Sequence, residues 1–219
     1  MVFRPVYKPP GSSASWSMKW LDGDYTKVSL IDTSPDGGMS ISEVSTSHFL
    51  AGRPIKPDHM PTMLYPTKKV TKYPDYFTYG GAGLVVSEKF RSVVESLAPD
   101  RHQFFPIKIM SKSKKNHLAD MFIMIICNRL DTVHAEKTNR YFHRNTVWRQ
   151  RAHNREDPNR LQWKGKDRLV IDSSKIGDHH LWFDKHLNIM DGPLMSNQLK
   201  TTLEAAGMHH VTFVEVEEG

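Results

Sequence analysis

Twelve histidines and one cysteine are the residues of this 219-residue chain whose chemistry invites a catalytic or metal-binding reading. Their spacing does not converge. His179-His180, after Asp178, and His209-His210 are adjacent pairs, and neighbours on a strand point to opposite faces, so such a pair rarely shares one metal. His117 and Asp120 would meet on a helical face at i, i+3, with no third ligand nearby. A single cysteine excludes an internal disulfide and a thiolate zinc site, and Cys127 sits in the apolar run MFIMIIC, where burial disfavours the thiolate. No Gly-x-Ser-x-Gly elbow is present. The glycines of YGGAGLVV precede a strand candidate, whereas a phosphate loop follows one, so they read as a turn. The stretch GKD at Gly165 lacks the upstream glycine and the Ser or Thr of a P-loop. Glu156-Asp157, with Pro158 behind, reads as a solvated turn. The expectation is a protein that is not an enzyme, with no catalytic residues, no metal and no cofactor.

Another chemistry is concentrated between residues 137 and 168. Ten Lys and Arg stand there against three Asp and Glu, a local excess of +7 in a chain whose net charge is +6. The rest is close to neutral, so the charge belongs to one face. Arg140, Arg144, Arg149 and Arg151 alternate with Tyr141, Phe142, Trp148 and Trp163. Arg and Trp are enriched at the anchors of protein interfaces, which makes Arg140, Arg144, Trp148, Arg149, Arg151 and Trp163 candidate partner-binding residues. The same mixture suits a nucleic-acid groove, in which phosphates pair with Arg and bases stack on rings. It also suits a solvated hairpin whose tryptophans pack inward. Spacing selects no nucleic-acid motif.

The framework that must carry this insert is announced by a repeat. GLVVSEKFRSVVESLAPDRHQFFPIKI (83–109) and GPLMSNQLKTTLEAAGMHHVTFVEVEE (192–218) align without a gap. In each, a short apolar strand runs into a serine placed as a helix N-cap, Ser87 and Ser196. Phe90, Val93, Val94 and Leu97 then follow at one-face helical spacing, as do Leu199, Thr202, Leu203 and Ala206. Pro99-Asp100 breaks the first helix and Gly207 the second. QFFPIKI, with Phe104, and VTFVEV, with Phe213, return as strands. Two strand–cap–helix–strand units imply an α+β fold built on a mixed sheet. Between them, LADMFIMIICNRLD reads as a buried strand or a short core helix, and RLVIDSSKIGDHHLWF as strand, turn, strand.

Residues 1–15 are rich in Pro, Gly and Ser and read as a flexible arm ahead of one domain over 16–219. YTKVSLI reads as a strand-like piece, and 51–79, with Gly52, Pro54, Pro57, Pro61, Pro66 and Pro74, as a long wrapping loop. The longest apolar run is far short of the roughly 20 residues that cross a bilayer. The N-terminus lacks the apolar core of a secretory signal. With one cysteine, a reduced cytoplasmic setting is the simplest reading.

In their order, GLVVSEKFRSVVESL, FFPIKI, IMIICNRLD, RLVIDSSKIGDHHLWF and LMSNQLKTTLEAAGMHHVTFVEV resemble one family. It is the immunity-protein family numbered eleven of bacterial polymorphic toxin systems, formerly a domain of unknown function. The resemblance covers about residues 80–217. It rests on Ser87, Phe104, Phe105, Pro106, Asn128, Asp131, Asp172, Ile176, Ser196, Gly207 and Phe213, and the basic insert departs from the family's compact pattern. It implies a non-catalytic cytoplasmic protein that binds and occludes a cognate toxin and so protects the producing cell. A basic contact face would call for an acidic patch on that toxin. The alternative, from the insert alone, is a nucleic-acid-binding module. No membrane partner is expected.

Overall fold

Ser87 and Ser196 start the two helices as their sequence positions predict. Ser87 Oγ accepts from Phe90 N at 3.2 Å, opening helix α1 (Glu88–Leu97), and Ser196 Oγ accepts from Leu199 N at 3.2 Å, opening α2 (Asn197–Ala205). Each bond satisfies one of the four orphan N–H groups of a helix start. Phe90 and Val94 on α1, and Leu199 and Leu203 on α2, are buried. Burying each stabilises by about 2 kcal/mol. Past α2, Gly207 takes φ +65, the left-handed conformation that ends a helix at least cost in a glycine.

This computed structural model describes residues 1–7, 18–34, 36–37, 48–67, 72–78, 83–151, 158, 165–188 and 191–219. Its strands form two six-stranded mixed sheets and a hairpin, where the sequence suggested one mixed sheet. The first sheet holds β2 (Met18–Trp20), β3 (Met63–Pro66), β4 (Tyr76–Thr78), β5 (Leu84–Val86), β6 (Gln103–Met110) and β7 (His117–Ile125), in the order β2-β3-β6-β7-β5-β4. The second holds β1 (Val2–Tyr7), β8 (Arg129–Leu130), β11 (Val170–Ile171), β12 (Leu181–Asp184), β13 (Leu194–Ser196) and β14 (Val211–Glu218), in the order β11-β14-β1-β13-β12-β8. The hairpin is β9 (Tyr141–His143) with β10 (Val147–Arg149).

Each repeated unit lies in its own sheet, and the pairing around it is the same in both. In the first sheet β7 runs antiparallel between β5 and β6, with Phe122 opposite both Val86 and Pro106. In the second, β1 runs antiparallel between β13 and β14, with Phe3 opposite both Met195 and Glu215, the positions that align with Val86 and Pro106. The outer neighbours match too. Tyr76 pairs with Val86 as Leu181 pairs with Met195. Parallel to the returning strand, Leu64 faces Ile109 as Ile171 faces Glu218. The duplication is therefore five strands and a helix, and the N-terminal strand closes the C-terminal half.

Several sequence expectations are corrected here. Residues 2–7 are a central strand rather than part of a flexible arm; residues 8–15 lie outside the described residues. A proline in Arg4-Pro5-Val6 masks the strand pattern, and the partners lie at the other end of the chain. YTKVSLI is turns with one isolated bridge, Leu30 to Ile55. The loop over 51–79 contains β3 and β4. The stretch at 117–125 is strand β7, the strand reading of the two the sequence allowed, so His117 and Asp120 do not share a helical face. His117 Nε2 reaches Asp120 Oδ1 at 2.9 Å across an irregularity of β7 at Leu118, where its register with β6 shifts between Ile109 and Met110.

Side chains alternate across each strand, and the core divides accordingly. Leu84, Val86 and Met124 join Phe3, Leu181, Met195 and both helices in a central cluster. Val85, Ile107 and Ile123 face a second cluster under residues 18–64. Val2, Trp182, Leu194 and Val216 face a third, under the segment carrying the basic insert.

Candidate interaction surface

The insert is built on an aromatic pair. Across the hairpin Phe142 opposes Trp148, their rings stacked with centroids 4.4 Å apart. Cross-strand aromatic pairs stabilise a hairpin by up to about 1 kcal/mol beyond burial. Trp148 is 9% exposed and belongs to the third core cluster. Its backbone N–H donates to His186 O at 2.7 Å, and His186 stands edge-on to Phe142 at 5.3 Å. Asp184 anchors the strand beneath. Thr132 N (2.6 Å), Thr132 Oγ1 (2.9 Å), Val133 N (3.1 Å) and His186 N (2.8 Å) donate to its carboxylate. Burial raises the Asp184 pKa, and the donors from His186 and Thr132 oppose that rise.

Period-2 alternation then sorts the arginines. Arg149, one residue past Trp148, is exposed. Arg144 and Asn145 form the two-residue turn, closed by Thr146 N donating to His143 O at 3.0 Å, with φ +48 and +55. Left-handed backbone at both turn positions favours Asn and Gly, and an arginine there costs about 1 kcal/mol. Arg151 is half-buried and donates from Nε to Asn139 O at 3.0 Å.

Arg140 is in a different situation from the other candidates. Its side chain is 2% exposed and is held by two carboxylates, Asp167 (2.8 Å) and Asp191 (3.0 Å). Burial opposes its charge, but Asp167 and Asp191 outweigh burial and raise its pKa. Arg140 and Trp148 therefore support the face from within, Arg144 and Arg149 are presented on it, and Trp163 lies outside the described residues. Beside Arg149 opens a cleft of about 460 Å3, walled by Arg4, Arg140, Trp148, Asn188 and Asp191. Arg4 comes from β1, and nothing in its local sequence links it to residue 140. Only the pairing of β1 inside the second sheet brings it there.

The repeat residues named from sequence occupy structural positions: Ser87 and Ser196 at caps, Phe90 and Leu199 in the central cluster, Phe104 and Phe213 packed against it, and Gly207 ending α2. The paired histidines separate. His179 Nδ1 meets Arg101 Nη1 at 3.2 Å, whereas His180 Nδ1 meets Ser196 Oγ at 2.9 Å. His209 N donates to Asp75 Oδ2 at 2.6 Å. Burial pushes the Cys127 thiol up to about 11, which leaves almost no thiolate at neutral pH. Among the described residues no three His, Cys, Asp or Glu side chains are grouped to hold a metal. No described helix is long and apolar enough to cross a membrane.

Two sheets of duplicated topology, with an arginine-bearing hairpin beside the second, define an α+β protein. Residues 25–218 match the pattern of the immunity protein family Imm11, and the chain belongs to that family. Membership implies neutralisation of a toxin, in a family that is typically non-catalytic. No curated protein matches the chain.

Proposed function

We propose that this protein neutralises its cognate toxin by stoichiometric occlusion in the cytoplasm, using the face built by residues 137–168. One observation carries this reading: the hairpin buries its aromatic side and holds Arg144 and Arg149 outward on a fixed support. Occlusion needs a preorganised surface with a few anchors, not a reactive group. A left-handed arginine at the turn is unfavourable for the turn itself, and such local cost is typical of residues selected for contact.

The partner's contact surface is acidic. Arg144 and Arg149 would be repelled by a basic cleft such as a nuclease uses to hold its substrate. The acidic C-terminus is a weaker alternative, because two of its three glutamates, Glu217 and Glu218, are already engaged. Arg168 Nε donates to Glu217 at 2.9 Å, and the Met1 amino group pairs with Glu218 at 2.9 Å. Two of the four aromatics a nucleic-acid reading would stack bases on, Phe142 and Trp148, are taken up by each other and by the core, which favours the protein-contact reading.

The test is co-purification of the tagged protein from its host after nuclease treatment and a high-salt wash, followed by a protection assay. One protein at near-equal stoichiometry, toxic alone and harmless with this chain, is expected. Arg144→Gly combined with Arg149→Glu should abolish protection without loss of thermal stability, because glycine relaxes the turn. Recovery of only nuclease-sensitive, salt-labile material would reject occlusion.

A further inference from the structure

The outer faces of the two sheets are built from equivalent positions but are not equally covered. In the first half Ile125 lies opposite Gln103 and Ile123 opposite Phe105. Ile125 is 0% exposed and packs in one cluster with Phe105, Ala51 and Ile55. The Gln103 side chain clasps the covering segment by its backbone: Ile55 N donates to Oε1 at 2.8 Å, and Nε2 donates to Ile55 O at 3.0 Å. In the second half the same positions are Val6 opposite Thr212 and Arg4 opposite Val214. There Val6 is 41% exposed and Val214 43%. Alternation along β1 and β14 sets both on the face that buries Val2 and Val216 in the third cluster. That core therefore stops at Val2 and Val216, while its counterpart runs on to Ile125. Arg4, between Val2 and Val6, donates from Nη1 to Asp191 O at 3.2 Å. Thr212 does not repeat the clasp of Gln103, since its Oγ1 donates to Val6 O at 3.2 Å.

We propose that Val6 and Val214 seat one aliphatic side chain of the toxin, which covers the second half from outside as the segment carrying Ile55 covers the first from within the chain. The inference rests on the occlusion reading for the source of that side chain, and on the unequal halves for its chemistry. With no side-chain amide to grip a backbone, the seat selects an apolar side chain. The seat also adjoins the arginine-bearing face, because Arg4 walls the cleft that Arg149 borders. An apolar patch beside charged residues is the usual layout of a protein contact. Two valines supply only a fraction of the roughly 800 Å2 per partner of a standard interface, so the occupant must also use the adjoining face. A second copy of this chain would bring Arg144 and Arg149 against their own like, whereas an acidic toxin is drawn to them.

The test measures, by calorimetry, the affinity of the whole protein for the toxin that co-purifies with it. Val6→Thr combined with Val214→Thr keeps the branched shape and strand propensity of both residues. It should weaken binding about tenfold, the effect of two buried methyl groups lost. Ile31→Thr, at an exposed aliphatic side chain of the first half, should change nothing. In the unmutated, methyl-labelled protein, cross-saturation from the toxin should reach the Val6 and Val214 methyls. Full affinity in the double variant, an equal loss in Ile31→Thr, or no transfer to those methyls would overturn the inference. So would a free protein that is dimeric by sedimentation and monomeric in the double variant, since the seat would then belong to a second copy. If the double variant binds normally while Arg144→Gly with Arg149→Glu does not, occlusion stands and the valine seat alone fails. If no toxin co-purifies, both readings fall.

Discussion

Lys200 Nζ lies 5.1 Å from the centre of the Phe3 ring. In the other half of the molecule Arg91, which aligns with Lys200, covers Phe122 at 4.8 Å. The match extends to the next turn of each helix, where Arg91 pairs with Glu95 at 2.9 Å and Lys200 with Glu204 at 2.7 Å. A cation over a ring contributes on the order of 1 kcal/mol, so this repetition is chiefly a marker of equivalence. It identifies β1 as the strand that does for the C-terminal unit what β7 does for the first.

Phe3 should therefore behave as a core residue despite standing third in the chain. It is 7% exposed and belongs to the central cluster. Phe3→Ala is expected to cost about 3–4 kcal/mol in urea unfolding, with Phe122→Ala milder because that ring is only half-buried. Removing residues 1–7 should abolish cooperative unfolding, since β13 and β14 then face an empty slot. A truncated chain that melts like the full one would refute the role assigned to β1.

Arg140 and Arg149 separate support from contact. Replacing Arg140 with Ala leaves Asp167 and Asp191 without their shared cation, and Asp191 is nearly buried. The expected loss is about 3–5 kcal/mol, read by thermal or urea unfolding. Arg149→Ala should leave the midpoint unchanged within about 0.5 kcal/mol. Equal effects at both positions would contradict the division of the insert into an inner and an outer set.

That division also shows how far the sequence could be read. Ser87, Ser196, Phe90 and Leu199 were legible because caps and helical faces are local patterns, decided within one or two turns. The aromatic and basic composition of 137–168 was legible, but not which side chains face in. Trp148 and Arg149 are neighbours with opposite fates, and only the register with Phe142 and the sheet beneath assigns them. Arg140 resembled its fellow arginines because its carboxylate partners lie 27 and 51 positions away. β1 was illegible for the same reason on a larger scale: its hydrogen bonds go to residues around 195 and 211–216. Long-range pairing of a six-residue strand leaves no periodic signature long enough to detect.

His102 makes the protein's stability acid-sensitive. It is 9% exposed, its Nδ1 accepts from Cys127 N at 3.3 Å, and its Nε2 is buried without a hydrogen-bond partner among the described residues. Burial, reinforced by the charges of Arg101 and His179, pushes its pKa down to about 4. The unfolded chain, with a histidine near 6.5, binds the proton more readily. The contribution is thus full above pH 6.5, falls by about 1.4 kcal/mol per unit as pH drops, and is exhausted near pH 4. The total is about 3 kcal/mol. In His102→Gln, where the amide oxygen can still accept from Cys127, the stability–pH profile between 6.5 and 4 should be flatter by that amount. Asp184 titrates in both proteins and cancels in the comparison. Parallel profiles would show that His102 is not the group responsible.

The equivalence of β1 and β7 makes a topological prediction. In the first half, β6 passes to β7 through the turn at 111–116, where Ser111 N donates to Asn116 O at 2.8 Å. At the matching place in the second half there is no turn but the two chain ends, with the Met1 amino group on Glu218. A short linker like Ser111–Asn116 should therefore join Gly219 to Met1 without strain. The chain can then be opened within the turn it imitates, because the residues there are exposed and outside the core. The permuted protein is expected to fold with the Arg4–Asp191 contact intact and to unfold cooperatively. The measured cost should be small, since the ion pair lost at the ends is largely exposed. If instead the permutant aggregates or melts broadly while a control insertion of the same linker into the 111–116 turn does not, the two strands are alike in register only. The N-terminal strand would then owe its place to the order in which the chain is made.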